Sequence, residues 1–123
     1  MGSASSNDET GVSAMETTTI VIARDFSDTP GGRYQKFGPA SGEAFRDELV
    51  KHLVNGEAIE VVLDGTEGYG SSFLEEAFGG LVRLRKWPPS ELKNRIHFIA
   101  HDRAYHLYAE QALRYMQEAA DRL

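Results

Sequence analysis

The chain has 123 residues, 41% hydrophobic and 10% aromatic, enough for one domain around one core and too few for a second lobe. A formal net charge of -6 with scattered lysines and arginines argues against a nucleic-acid surface, which needs clustered cations to meet phosphates. No cysteine is present, which excludes disulfides, thiolate nucleophiles and cysteine-based zinc sites and fits a reducing cytoplasm.

Residues 1–16 lack aromatics and periodicity and cannot bury enough area to offset chain entropy, so they read as a disordered leader before a domain at 17–123. Met1-Gly2 with Ser6 formally matches an N-myristoylation pattern, but Met-Gly-Ser is also an ordinary chain start, and Met15 is an alternative one. No apolar run reaches the roughly 18 residues of a membrane span. Residues 17–23, rich in β-branched side chains, predict the first strand. A long connection over 25–42 follows, with turn signals at Pro30-Gly31-Gly32 and Gly38-Pro39 around a short second strand at 33–37.

Ser41 is the expected cap of a helix running to about Val54, with Phe45, Leu49 and Leu53 on one face and Asn55-Gly56 as its stop. The apolar run at 58–63 predicts the central strand. After the glycine-rich loop Gly65-Thr66-Glu67-Gly68-Tyr69-Gly70, a helix is expected from Ser72 to about Arg85, its start fixed by a capping box of Ser72 with Glu75. Leu74, Ala77, Phe78, Leu81 and Val82 fall at core spacing, which turns Glu75, Glu76, Gly79 and Arg83 outward. Each glycine inside a helix costs about 1 kcal/mol relative to alanine, so Gly79-Gly80 implies close approach by a neighbouring helix or a docked partner.

Trp87-Pro88-Pro89 ends this segment, a short strand follows at 95–100, and a last helix runs from about Asp102 to near Arg122. The expected architecture is α/β, a mixed sheet of about four strands with three main helices in the order β-β-α-β-α-β-α.

Several motifs approach a known chemistry and fall short of it. Residues 65–72 have the glycine spacing of a phosphate-binding P-loop, but its lysine is missing and Asp64, Glu67, Glu75 and Glu76 crowd the spot. Phe73 stands where a dinucleotide fingerprint needs its third glycine. Ser71 with His97 or His101 and Asp64 or Asp102 lacks a nucleophile elbow, so an enzyme is not expected. His52, His97, His101 and His106 do not share a metal-binding spacing, and neither metal nor cofactor is expected. Arg33 and Lys36, in the glycine-flanked connection, are the candidate anion contacts.

With Ser72 as cap, Ser71 is the free hydroxyl at a helix N-terminus, where phosphorylation would add about -1.5 to -2 charge that first-turn amides tolerate.

The element order and the serine-bearing loop resemble the STAS domain of bacterial anti-sigma factor antagonists. More specifically, Asp25-Phe26-Ser27, Pro30-Gly31-Gly32-Arg33, residues 38–46, Ser71-Ser72-Phe73 through Glu76, and Phe78-Gly79-Gly80-Leu81 resemble the STAS-like family of unknown function. The resemblance implies that Ser71 or Ser72 is the phosphoacceptor of a kinase of the histidine-kinase-like ATPase fold. It further implies that Tyr69, Phe73, Glu76, Gly79 and Arg83 form the partner-binding face. Gly70 departs from the antagonists, which carry an aspartate directly before the phosphorylated serine, and they also lack the long 25–42 connection. The expected protein is a monomeric, non-catalytic regulator of partner switching, transcription or other signal transduction. A small-molecule or nucleotide-sensing domain is the alternative.

Overall fold

The computed structural model describes residues 15–123. The expected leader, the myristoylation pattern at Gly2 and Ser6 included, lies outside the described residues except for Met15 and Glu16. Three strands, β1 (Thr17–Val21), β2 (Ala58–Val62) and β3 (Ile96–Ile99), form a sheet with β2 in the centre. All pairs are parallel, with Ile20 beside Val61 and Val61 beside Phe98. The mixed sheet of about four strands is thereby corrected, among the described residues, to a parallel sheet of three.

The missing strand is the one expected at 33–37. Its backbone groups are spent locally: Phe37 donates to the Tyr34 carbonyl, Gly38 to that of Gln35, and the Gln35 amide to the Glu43 carboxylate. The result is a short 3-10 turn, Gln35–Phe37. Gly32 takes φ +83°, which favours glycine, and its carbonyl accepts from Gly42. The connection therefore closes on itself and docks at the start of the next helix.

Helix α1 (Gly42–Val54) begins at the expected cap, the Ser41 hydroxyl accepting from the Ala44 amide at 3.1 Å. Helix α2 covers residues 71–83 and contains a π turn, Glu75–Gly79, in its middle. A helix at Pro89–Arg95, α3, was not expected from the sequence; Pro89 stands at its first position, where a missing N–H is harmless. Leu92 buries into the core, and Arg95 donates to the carbonyls of Leu53 and Glu57 while stacking on Trp87. After β3, Asp102 caps a 3-10 turn, Arg103–Tyr105, that leads into α4 (His106–Asp121).

Alternation along the strands sends Ile20, Ile59, Val61 and Ile96 into one core with Phe45, Leu49, Phe73, Phe78 and Leu81 from α1 and α2, joined by Ala112, Met116 and Ala119 from α4. On the other face Thr19, Glu60 and His97 stand in register, exposed or half-buried, and Thr19 donates to Glu60 at 2.9 Å. None of the described helices is long and apolar enough to cross a membrane.

Candidate functional site

The loop between β2 and α2 runs past the carboxyl ends of the strands and is fastened from three sides. Asp64 accepts the amides of His101 and Asp102 at 2.9 and 2.8 Å. Burial opposes its charge, but those two amides outweigh burial and hold the carboxyl below its usual range. Tyr105 donates to the Thr66 carbonyl, and the Glu67 amide donates to the Asp28 carbonyl. Tyr69 is 7% exposed; its hydroxyl donates to the Leu63 carbonyl at 2.7 Å, and burial raises its pKa. A Cβ at Gly68 would meet the Tyr108 hydroxyl at 2.8 Å, and φ is +103° there, so the loop fits only as glycine.

The cap of α2 is Gly70, so Ser71 and Ser72 are its first two residues and neither makes a side-chain cap. This corrects the expected box of Ser72 with Glu75. Glu75 is held elsewhere, by Arg33 and Arg83, and has no part left for the helix start. Both hydroxyls are exposed. They line a groove of about 630 Å³ whose opposite wall is Gly32, Arg33, Tyr34 and Phe37. Phe37 is 69% exposed, and Lys36 lies over the rings of Phe37 and Tyr34 at 5.2 and 5.8 Å.

Behind the serines lies a charged network. Glu76, 2% exposed, is met by Arg33 at 2.9 Å, by Arg46 at 2.5 Å and by Arg83 at 3.2 Å. Glu75 binds Arg33 at 2.5 Å and Arg83 closer still. Burial opposes the Glu75 charge, yet the two guanidinium groups outweigh it and keep the carboxyl below its usual range. The hydrogen bond to Glu75 raises the Arg33 pKa in turn.

This network corrects the expected outward face. Phe73, Glu76, Gly79 and Tyr69 are buried, and Arg83 is turned onto the two glutamates. The pattern misled because Glu76 and Gly79 face α1 and α4 across the helix. A Cβ at Gly80 would sit 2.6 Å from Arg46 Nη1; one at Gly79 would sit 2.7 Å from Glu75 Oε2 and 3.4 Å from the Tyr115 carbonyl. Gly80 thus accommodates the Arg46 side chain of α1, while Gly79 accommodates first Glu75 of its own helix and then the Tyr115 backbone of α4.

Of the two candidate anion contacts, Arg33 is committed to the carboxylates while part of it stays exposed, and Lys36 rests on aromatic faces. The histidines are dispersed: His52 lies against Glu57 at 2.8 Å, His106 donates to the Ala100 carbonyl, and His97 and His101 are exposed. Arg46 is the participant the sequence reading missed. Its i, i+3 relation to Leu49 on the buried face of α1 was the available signal.

A family described as the STAS-like domain of unknown function matches residues 41–105, more than half of the chain. The chain belongs to this STAS-like family. No match is found among curated proteins or among solved structures.

Proposed function

We propose that the protein is a non-catalytic regulatory module that binds a protein kinase of the histidine-kinase-like ATPase fold and is gated by phosphorylation at the start of α2. One observation carries this reading: two uncapped, exposed hydroxyls, Ser71 and Ser72, stand on the first turn of a 13-residue helix beside an open groove. The helix end favours negative charge there, so a phosphate is carried without unfolding the domain.

In the transfer step, the serine Oγ bonds to the γ-phosphorus of ATP on the kinase. The bond to the bridging oxygen of ADP breaks, and the serine proton passes to a base of the kinase. The docking surface is the exposed Tyr34, Lys36 and Phe37 turn together with the groove mouth, since the side chains of Tyr69, Phe73 and Glu76 are withdrawn into the core. A phosphate brought into such an interface without a partner costs about 2–5 kcal/mol, roughly 30-fold to several-thousand-fold in affinity, which suffices for a switch.

Incubation with a serine kinase of that fold and ATP, followed by mass spectrometry, should locate phosphate on residue 71 or 72. If Ser71→Ala, Ser72→Ala and the double variant leave phosphate incorporation and kinase affinity as they were, the reading fails. A second reading, a small-molecule sensor, draws on the aromatic and cationic wall of the same groove; a melting shift with a metabolite and no protein partner would favour it.

A further inference from the structure

We propose that Ser72, not Ser71, carries the phosphate, and that Arg33 reads it by exchanging its carboxylate partners for the phosphoryl oxygens. This rests on the reading that a serine of this pair is phosphorylated.

Spacing selects the serine. Ser72 precedes Glu75 by three residues and Glu76 by four, and residues so related share one helix face with Cβ atoms about 5–6 Å apart. Ser71 has this relation to Glu75 alone. The Arg33 Nη1 atom sits on that face, bonded to both carboxylates at 2.5 and 2.9 Å, and Arg33 also forms the groove wall opposite the serines. A phosphate on Ser72 therefore arrives one turn from the guanidinium.

Bookkeeping of charge selects the arginine. The network holds three cations, Arg33, Arg46 and Arg83, against two anions, Glu75 and Glu76, an excess of one. If Arg33 leaves, Glu76 keeps Arg46 and Arg83, and Glu75 keeps Arg83. No buried charge is stranded. Arg46 has no such freedom, being 7% exposed and bonded also to the Glu76 carbonyl.

Among the described residues only Nη1 of Arg33 has hydrogen-bond partners, which leaves Nε and Nη2 available for a bidentate grip on phosphate. Without that grip, a phosphate of about -1.5 to -2 charge would face two carboxylates one turn away, an arrangement that like charges oppose. Arg33 belongs to the same connection as Tyr34 and Phe37, so its change of partner is conveyed to the exposed aromatic turn.

The test uses the full chain with phosphoserine installed genetically at position 72 or 71, so that no kinase is involved. In a 31P NMR titration, the second ionisation of the phosphate at 72 should lie lower with Arg33 than with Arg33→Gln, by about half a unit or more. The phosphate at 71 should respond less. In the unsubstituted chain, the 15N side-chain signal of Arg33 should move when position 72 is phosphorylated; this readout holds even if Arg33→Gln fails to fold. Equal ionisation with and without Arg33, an unmoved Arg33 signal, or a stronger response at 71 would overturn the proposal. A kinase that ignores the protein would end the reading above without altering this titration, and a titration indifferent to Arg33 would leave kinase recognition intact.

Discussion

Arg46 of α1 and Glu76 of α2 meet inside the domain, Nη1 lying 2.5 Å from Oε2 and 3.0 Å from the Glu76 carbonyl oxygen. Removing Glu76 leaves the buried Arg46 without a carboxylate, whereas removing Arg46 leaves Glu76 with Arg33 and Arg83. Glu76→Ala should lower unfolding free energy by about 3–5 kcal/mol, read from denaturant melts, because it strands the buried Arg46, and Arg46→Ala should cost less because Glu76 keeps Arg33 and Arg83. Replacing both with apolar residues of similar volume should cost clearly less than Glu76→Ala alone.

The glycines around this pair should behave unlike ordinary helix glycines, where alanine stabilises by about 0.4–1 kcal/mol. At Gly42 an added Cβ would lie 2.5 Å from the Phe73 carbonyl oxygen, a backbone atom that cannot step aside. At Gly80 it would meet a side-chain end, Arg46 Nη1, held by its hydrogen bonds. Both Gly42→Ala and Gly80→Ala should lower the melting temperature, Gly42→Ala more. A rise at either position would contradict the packing described for α1 against α2.

The three serines at the starts of α1 and α2 separate capping from display. Ser41 accepts the Ala44 amide, so Ser41→Ala should cost about 0.5–2 kcal/mol. Ser71 and Ser72 make no cap, and their alanine variants should stay within about 0.5 kcal/mol of the parent. Urea titrations of the three variants side by side make the comparison, and a large loss at Ser72 would count against its hydroxyl being free.

Acid sensitivity should trace partly to Glu57. Bonds first from the Thr18 hydroxyl, then from Asn55 and His52, lower its pKa from 4.5 to about 2. A carboxyl depressed by folding stabilises fully above its unfolded pKa, and that contribution is lost as pH falls toward the folded one. Glu57→Gln should therefore flatten the stability curve between about pH 4.5 and pH 2, the interval those two values bound. Melting temperatures of both proteins across that interval check it; parallel curves would show that the Thr18 bond adds nothing.

The sequence was most legible where local chemistry and burial agreed. Ser41 before an amphipathic segment, the apolar run at 58–63 and the long apolar stripe of α4 all appear close to where periodicity put them. The segment at 33–37 was not legible, because Arg33 is drawn to carboxylates 42 and 43 residues later and Gln35 to Glu43. The sidedness of α2 failed for a related reason. A glutamate at helical spacing reads as solvent-facing until Arg46, 30 residues earlier, is known to stand opposite. The presence of the serine pair could be read directly, whereas its cap could not, since Gly70 supplies the helix start with no side chain to announce it.

The family match starts at Ser41, the cap of α1, and stops at Tyr105, just before α4. A fragment cut at those limits would lose one outer strand, with Ile20, and every core side chain from the final helix, Met116 among them. It would also lose Arg33 and Tyr108, which contact α2 and the loop before it. The matched stretch is thus smaller than the packed core, and expression boundaries for this chain belong outside it.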